Sequence, residues 1–507
     1  MTTVSLFDQA ALSVGVNENA TIIARERQKS LMLRAWIASG LFFMALPGTL
    51  LGFSNLMAIS AHHGLGTLPA AWMEGHGHAQ MFGWIGSFIL GIGFYSQPAK
   101  GRAATRLPLF CYILWTSGVA LRWFANIYGW HWRTLLPISA GFELVAVILF
   151  LYAAAHHKRP SSTQGNKSKT PMELWMVSVL IGTAGLASAV IFNFVECVRL
   201  GLQGGLRSFP HALDQKYLVL LGWGFVVPVV WGFSARWLPS LLSIAKPKVR
   251  LFRLAICLNV AGVLFGVAGL PKPATILLAF SAIAIGVALR FAERPHGFAK
   301  TQGIHPCFST FARLPYVWLV VAALMSVWAA FADVHGGIWG ASRHALTVGF
   351  AATMVFAIGP RILPHFAGIE RIFSKRLMLF SLLCLQTGCL LRVSSEPLAY
   401  EGIVSFAWKV LPVSGTLELC GVLIFATNLA LTFLLGRSAF AQSIPANELR
   451  RSCTKPCAPR SRARSSGHSA LPGVPSRRWP RAMTGPDWLP QDEEEVPTFQ
   501  SAPGPQD

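Results

Sequence analysis

Apolar runs long enough to cross a membrane recur along almost the whole chain. A bilayer has a hydrocarbon core about 30 Å thick, which a helix of roughly 20 apolar residues can span. Hydrophobic residues make up 53% of the 507 residues and charged residues only 13%, which excludes an ordinary soluble globular domain. The pattern predicts an all-α polytopic membrane protein with about twelve transmembrane helices. The predicted spans are 33–58, 78–96, 107–125, 135–154, 174–198, 217–235, 251–270, 274–292, 314–332, 344–364, 377–393 and 413–435.

The distribution of Lys and Arg over the loops predicts the orientation of these helices. The N-terminal segment and the loops on its side of the membrane hold 19 Lys and Arg residues, whereas the opposite loops hold 6. Because cytoplasmic loops carry the excess of positive charge, we expect both termini in the cytoplasm. This bias and an Arg-rich tail account for the net charge of +22, so no nucleic acid partner is predicted.

Composition divides the chain into three parts. Residues 1–30 form a polar cytoplasmic N-terminal segment, and residues 31–437 form the membrane domain. Residues 438–507 are rich in Arg, Ser and Pro. Such a segment cannot bury enough apolar surface to fold, and we expect a disordered cytoplasmic tail.

One short signature occurs three times in the membrane domain. It consists of a glycine, an aromatic residue and a proline fifteen positions after the glycine, in Gly83-Trp84…Pro98, Gly224-Phe225…Pro239 and Gly349-Phe350…Pro364. Five residues before the glycine, the first and third copies have His78 and His344, and the second has Val219. Small residues let helices approach closely in a bilayer, so the signature indicates a repeated packing scaffold.

Further similarities surround the signature. The segment Ser117–Arg122 is similar to Thr387–Arg392, and Leu136–Leu144 is similar to Leu411–Leu419. The simplest architecture is three pseudo-repeated units of four helices. An even number of helices preserves topology, so the copies would be related by rotation about the membrane normal. The predicted units are about 31–155, 172–292 and 312–436.

Histidines collect on the predicted external side. The eight external ones are His62, His63, His76, His78, His131, His211, His335 and His344. The six internal ones are His156, His157, His296, His305, His365 and His468. Ionisable residues in or beside membrane spans are costly and indicate a function.

His78 and His344 begin two predicted helices at equivalent positions of the repeat. Two neutral imidazoles at matched depth around a shared cavity are what axial ligation of a b-type haem requires. The structural alternative is that both residues cap their helices at the interface and bond water or lipid headgroups. The matched positions favour the ligand interpretation, which predicts haem b held by His78 and His344.

The other external histidines are candidates for a copper site, because imidazole suits copper. His76 is the nearest in sequence, two residues before His78. Loop histidines without a fixed spacing are often only solvated, and that alternative stays open. The candidate copper ligands are His62, His63, His76, His131 and His335.

The repeat also carries an arginine and a glutamate twice, as Arg122 with Glu143 and as Arg392 with Glu418. Buried charges need partners, so interhelical salt bridges are one interpretation. In the other interpretation, Arg122, Arg392 or Arg343 contacts the haem propionates.

The stretches Gly75–Gly83 and Ser342–Gly349, the latter running on to Gly359-Pro360-Arg361, resemble the NnrS family over roughly residues 30–437. The resemblance implies a bacterial inner-membrane protein that contains haem and copper. It also implies a role in nitric oxide metabolism or the response to nitrosative stress, with nitric oxide and an electron donor as partners. Many members have Glu after the second histidine, where this chain has Ala79. The matching positions are His76, His78, His344, Arg361 and His365.

The plan of three four-helix arcs with histidines on helices 2 and 10 is also similar to the catalytic subunit of haem-copper oxidases and nitric oxide reductases. The histidine pair on helices 2 and 10 is similar to the low-spin haem site of those enzymes. Those enzymes need further histidines on helices 6 and 7, and the predicted spans 217–235 and 251–270 contain none. An oxidase-type centre is therefore not supported.

Three functions stay open from the sequence. The first is a haem-binding, and also copper-binding, membrane protein of the NnrS type. The second is a reductase of nitric oxide or oxygen with a centre built from external histidines. The third is a haem-free secondary transporter, because twelve helices with internal repeats suit alternating access.

Overall fold

The structure, a computed structural model, describes residues 6–64, 66, 68–97, 103–156 and 172–436. Within these residues every regular element is helical, which confirms the predicted all-α class. The predicted tail 438–507 with His468 lies outside the described residues, as do His157 and Pro98.

The described part of the chain contains sixteen α-helices and four π-helical segments, joined by loops and turns. The α-helices are α1 (Leu6–Phe43), α2 (Leu51–His62), α3 (Ala70–His78), α4 (Ser87–Ser96), α5 (Ala103–Tyr128), α6 (Trp132–Ala155), α7 (Leu174–Gln203), α8 (His211–Val219), α9 (Val227–Leu242), α10 (Val249–Val267), α11 (Pro271–Ala288), α12 (Phe308–Ala332), α13 (Gly337–His344), α14 (Thr353–Phe366), α15 (Lys375–Tyr400) and α16 (Ala407–Leu435). The π-helical segments are Met44–Leu50, Ala79–Gly86, Leu220–Val226 and Ala345–Ala352, which join α1 to α2, α3 to α4, α8 to α9 and α13 to α14.

Eleven helical stretches are long and apolar enough to cross a membrane, so the chain is a multi-pass membrane protein. They coincide with eleven of the predicted spans, often with longer ends, as where 217–235 lies within His211–Leu242. The remaining prediction, 78–96, lies on the continuous helical stretch Ala70–Ser96, which is not one of the eleven. Nearly all of Met81–Leu90 is buried. A helix surrounded by protein does not need the strongly apolar surface of a lipid-facing one.

The three helices that carry the signature lie in the interior of the bundle. In His211–Leu242 and Gly337–Phe366, 72% and 78% of the most apolar window is buried, against 28–50% in the other nine candidate spans. The remaining signature helix, Ala70–Ser96, which carries the first copy, contacts both of them. The close pairs that join the three helices are Trp84 with Phe356, Phe82 with Tyr217, and Gly222 with Leu346.

Each signature helix changes from α to π geometry at the same place. The last residue before the π-helical segment is His78 in the first, Val219 in the second and His344 in the third. A π-helical turn widens the helix, is uncommon and often marks a functional site. In the first, Trp115 Nε1 donates a hydrogen bond of 3.2 Å to the carbonyl oxygen of Phe82 within the widened turn.

His78 and His344 lie inside continuous helical stretches and not at helix ends. These stretches begin at Ala70 and Gly337, about two turns earlier than predicted. The prediction that the two histidines begin their helices is therefore wrong, and so is the alternative that they act as helix caps at the interface.

The helix pairs α5–α6 and α15–α16 pack in the same way. A Cβ at Gly118 would meet Cγ of Glu143 at 2.9 Å, and a Cβ at Gly388 would meet Cγ of Glu418 at 2.7 Å. In both places it would also meet a backbone carbonyl oxygen of the partner helix at 2.9 Å. The two glycines thus permit the same close approach at the positions that the sequence matches, although the full three-unit architecture stays a prediction.

Candidate functional site

His78, the last residue of α3, lies in the interior, and its side chain points to α6. Its side chain is 4% exposed, and its Nε2 lies 2.7 Å from Oε1 of Glu143, which is fully buried. The Phe82 ring stacks on the imidazole with centroids 4.4 Å apart. The Nδ1 atom is buried and has no hydrogen-bond partner within the described residues. A carboxylate therefore holds one ring nitrogen, and the other is enclosed.

A chain of polar contacts continues from Glu143 back to α3. Asn193 Nδ2 on α7 donates to Glu143 Oε2 at 3.0 Å, and Arg122 Nη1 on α5 donates to Asn193 Oδ1 at 3.3 Å. Arg122 Nη2 forms an ion pair of 3.2 Å with Oε2 of Glu74. We call this group the His78 cluster, consisting of His78, Glu143, Asn193, Arg122 and Glu74.

Arg122 provides the fixed positive charge of this cluster. Its side chain is 2% exposed, its guanidinium contacts the Cys197 thiol, and it lies 5.1 Å from the centre of the Phe209 ring. The backbone N–H of Phe209 donates to Glu74. Since buried charges are tolerated when paired and hydrogen-bonded, the cluster is built to keep its carboxylates in the interior.

His344, the last residue of α13 before the π-helical turn, is held in a more open position. Its Nδ1 lies 2.9 Å from the carbonyl oxygen of Gly340 and 3.4 Å from Oε2 of Glu396. Its side chain is 27% exposed. Both contacts use Nδ1, and Nε2 makes no hydrogen bond within the described residues.

Arg392 and two glutamates surround His344. Arg392 binds Glu396, one turn later on α15, through contacts of 3.1 Å and 3.3 Å. Glu418 of α16 lies against Gly388 of α15, one turn before Arg392. Glu418 makes no hydrogen bond in the part of the chain that the structure describes, and its buried Oε1 lacks a partner. We call this group the His344 cluster, consisting of His344, Arg392, Glu396 and Glu418.

The predicted direct salt bridges, Arg122 with Glu143 and Arg392 with Glu418, are not formed. Asn193 lies between the first pair and bonds to both partners. In the second pair, the arginine binds a glutamate on its own helix instead. Both arginines have buried partners, as the salt-bridge interpretation requires, but the partners are different from those predicted.

His76 faces α2 and the π-helical turn before it. Its Nδ1 lies 2.8 Å from the carbonyl oxygen of Gly48, and its ring lies against Gly52, where a Cβ would collide with it. No hydrogen bond, ion pair or ring contact among the described residues joins His76 or His78 to His344.

The other candidate copper ligands lie apart from one another. His62 bonds a carbonyl oxygen of its own helix at 2.8 Å, and His63 stacks on Trp408 with centroids 5.2 Å apart. His335 pairs with a loop carboxylate at 3.1 Å, and His131 is exposed. Within the described residues, no group of three or more His, Cys, Asp or Glu side chains is arranged to hold a metal ion.

Arg343 differs from the two other arginines predicted to meet a cofactor. Its Nη2 donates to Oε1 of Gln215 at 2.6 Å, and no described carboxylate lies within 4.0 Å of it. The charges of Asp214, Asp333 and Glu396 act on it from greater distances. It is therefore available to pair with an anionic group of a ligand.

Arg361 and His365, which match the resembled family, do not join this site. They lie near the other end of the helical stretch that holds His344. His365 lies twenty-one positions after His344, which corresponds to about 30 Å along a helix.

The sequence-based predictions missed three residues of the two clusters: Glu74, Asn193 and Glu396. Glu74 is four residues before His78, and Glu396 is four residues after Arg392, a spacing that puts side chains on one face of a helix. Asn193 is a polar residue in the apolar span Leu174–Gln203. Helical spacing and polarity within a span could have identified all three.

A family model described as a domain of unknown function (DUF8744) matches residues 242–433. The match includes the whole His344 cluster but covers less than half of the chain, and it does not include the His78 cluster. No curated protein matches the chain.

Proposed function

We propose that this chain is a membrane protein that binds haem b beside His344, at the predicted external end of the bundle. The observation that carries the proposal is the state of the His344 ring. Its Nδ1 is fixed by Gly340 and Glu396, while Nε2 has no partner in the described part of the chain. An imidazole oriented through one nitrogen is suited to bind a metal through the other.

The residues near His344 fit a haem in two further respects. The helical stretch Ala70–Ser96 contacts the stretch that holds His344 and can supply a second imidazole, either the predicted His78 or its neighbour His76. Arg343 lacks a close carboxylate partner and would bind a propionate. Arg122 and Arg392 are already neutralised by buried glutamates, which favours a structural role for both.

A bound haem supplies reversible one-electron transfer, and the protein residues orient it and set its surroundings. We include in the proposal the bacterial inner membrane, the three four-helix units and cytoplasmic termini. A role in the response to nitric oxide rests on the resemblance to the NnrS family. Copper is not carried further, because the exposed histidines lie apart.

The visible absorption spectrum of the detergent-purified protein tests this proposal. We expect the spectrum of a b-type haem, with iron and protein in equal amounts, and we expect His344→Ala to lose it. His62→Ala is the matched control, because that histidine is also on the predicted external side but is exposed and bonds a carbonyl oxygen of its own helix. A wild-type protein without iron, or an unchanged spectrum in His344→Ala, would contradict the proposal.

A haem-free secondary transporter is the second candidate, favoured by the buried chain of contacts in the His78 cluster. Alternating exposure of buried carboxylates to the two sides of a membrane is a common basis of ion coupling. Accumulation of a solute by proteoliposomes, driven by an ion gradient and abolished by Glu143→Gln, would support this function. Iron analysis of the same preparation separates the two candidates.

A further inference from the structure

We infer that the ends of α5, α6 and α7 on the predicted external side form a binding site for a phospholipid with an anionic headgroup. The inference goes beyond the proposed haem function and does not depend on it, because these three helices carry no residue of the His344 cluster. We call the site the outer lipid site. Its six residues are Arg133, Arg207, Tyr128, Trp130, Leu202 and Leu206.

The two arginines come together because each lies over a glycine of the other's loop. In the turn between α5 and α6, a Cβ at Gly129 would collide with Nη1 of Arg207. In the loop after α7, a Cβ at Gly204 would collide with Nη2 of Arg133. Both glycines have a positive φ, +65° and +69°, which other residues rarely adopt. The backbone thus shapes both loops so that the two guanidinium groups lie on the same surface.

Neither arginine is neutralised by the described part of the chain. No described carboxylate lies within 4.0 Å of either guanidinium, and neither group makes a hydrogen bond within the described residues. The segments 126–133 and 200–210, which carry the two arginines, contain no Asp or Glu. Lys and Arg are scarce on this side, with 6 residues against 19 on the other. Two unpaired arginines at one place therefore indicate a site for an anion.

The exposed apolar side chains of the site continue the exposed apolar surfaces of two spanning helices. On α5, the Tyr128 ring stacks on that of Phe124 one turn earlier, with centroids 5.9 Å apart. On α7, Val195 and Leu202 are seven residues apart, which puts them on one face of the helix. These four side chains are 46–81% exposed. The surface that meets acyl chains along α5 and α7 therefore extends up to the two arginines.

The position and composition of the site favour a lipid over an acidic protein. The turn between α5 and α6 has only three residues, 129–131, so it cannot extend far from the membrane surface. Aromatic rings such as Trp130 lie at the level of the headgroups in membrane proteins, and arginines place their charged ends there. A phospholipid supplies a phosphate for the arginines and acyl chains for the apolar side chains.

The charge of the headgroup follows from the lack of acidic residues in the two loops. Guanidinium groups bind phosphate through paired N–H donors. A zwitterionic headgroup adds a cationic amine, for which these loops provide no carboxylate partner. Phosphatidylglycerol carries the phosphate without an amine. We therefore expect the site to prefer phosphatidylglycerol to phosphatidylcholine with the same acyl chains.

The test measures lipid binding to the full-length protein, delipidated in a neutral detergent, by native mass spectrometry. We expect the wild type to bind one phosphatidylglycerol about tenfold more tightly than phosphatidylcholine, because interfacial arginines strengthen the binding of anionic lipids. The double variant Arg133→Gln/Arg207→Gln should lose this preference. Lys272→Gln/Lys409→Gln is the matched control, because it removes the same charge from exposed positions elsewhere on the predicted external side. It should keep the preference.

Crosslinking covers the case in which the arginine variant does not fold. In the wild type, phosphatidylglycerol with a photoreactive group at the glycerol end of one acyl chain should label peptides from 128–133 or 202–207. Equal affinity of the wild type for the two lipids, an unchanged preference in the arginine variant, or labelling confined to other segments would overturn the inference. Displacement of the lipid by an equal concentration of inorganic phosphate would assign the arginines to a soluble anion and overturn it as well.

Discussion

The His78 cluster and the His344 cluster contain similar residues but connect them differently. Each holds a histidine directly before a π-helical segment, an arginine and two glutamates. His78 pairs with Glu143, the glutamate that belongs to the repeat. His344 is instead close to Glu396, which also binds Arg392, and the repeated glutamate of this cluster, Glu418, makes no hydrogen bond with any described residue.

The second glutamate of each cluster explains this difference. Glu74 lies one turn before His78, so it reaches Arg122 from the helix that carries the histidine. Glu396 lies one turn after Arg392 on the same helix and satisfies that arginine locally. The second carboxylate thus comes from the helix that carries the histidine in the His78 cluster, and from the helix that carries the arginine in the His344 cluster.

The histidine with the more extensive hydrogen-bond network is also the more deeply buried one. The side chain of His78 is 4% exposed and that of His344 is 27% exposed. Closed hydrogen-bond networks in a low-dielectric interior are rigid and costly to disturb, whereas an open imidazole with a free nitrogen can accept a ligand. Under the proposed function, the His78 cluster would stabilise the fold and the His344 cluster would provide the binding chemistry.

Removal of Arg122 should give the largest effect and shows whether the His78 cluster is structural. Arg122→Leu leaves Glu74 without its ion-pair partner in the interior, which should cost about 3–5 kcal/mol of stability. The measurement is the free energy of unfolding in mixed detergent micelles. Lys29→Leu is the control, because Lys29 and its partner Glu26, three residues apart on α1, are both partly exposed, at 21% and 36%. Such a pair contributes about 0–1 kcal/mol, and equal losses in the two variants would contradict the structural role.

The pairing within each cluster could be predicted only in part from the sequence. The repeat identified Arg122, Arg392 and the two repeated glutamates as buried charged residues, and all four have partly or fully buried side chains in the structure. Contacts between helices depend on the rotation of each helix about its axis, which residue spacing within a helix does not fix. The local bond from Arg392 to Glu396 was accessible in principle, because residues four apart share a face.

The same limit explains the orientation of the signature helix. Spacing alone requires His76 and His78 to point in opposite directions, but it does not say which neighbouring helix each of them faces. The fold class was easier to predict, because apolar length is a property of each segment alone. Even there, Ala70–Ser96 was placed too short, since its first two turns, with Glu74 and His76, are polar for a membrane helix.

Neutralising the repeated glutamates should separate the two clusters next most strongly. Glu143→Gln removes the charge that holds His78 and accepts from Asn193, and we expect a loss of about 1.5–3 kcal/mol, typical of hydrogen bonds to charged groups. Glu418→Gln removes a carboxylate that makes no hydrogen bond within the described residues. We therefore expect little change or a gain in stability. Thermal unfolding midpoints in detergent compare the two variants, and equal losses would mean that the clusters are equivalent.

The glycines test the feature that the two clusters share. A methyl group at Gly118 or Gly388 would lie within 3 Å of a glutamate side chain and of a backbone oxygen. We expect Gly118→Ala and Gly388→Ala to lose similar amounts of stability, about 1–3 kcal/mol each, as is typical of overpacking. Gly77→Ala is the control, because nothing lies within 4 Å of a Cβ at that position, and alanine is the better helix former by about 0.5–1 kcal/mol. A large loss in only one of the two glycine variants would argue against equivalent packing.

The smallest expected effect concerns a contact on the predicted external side, in which His335 Nδ1 lies 3.1 Å from Glu401 Oε2. Burial tends to raise the pKa of Glu401, but the hydrogen bonds and charge of His335 outweigh it, so this pKa lies below its usual value. A carboxyl group with a lowered pKa in the folded state adds stability above its unfolded pKa, and that stability is lost as pH falls through the folded pKa. His335→Ala should therefore lower the unfolding midpoint slightly in mild acid, where an imidazole carries its proton and Glu401 is ionised. The difference from wild type should shrink as the pH falls further and Glu401 is protonated. His131→Ala, at an exposed histidine on the same predicted side, should show no such loss. A difference that stays constant through the pH range in which Glu401 is protonated would contradict the direction of its pKa.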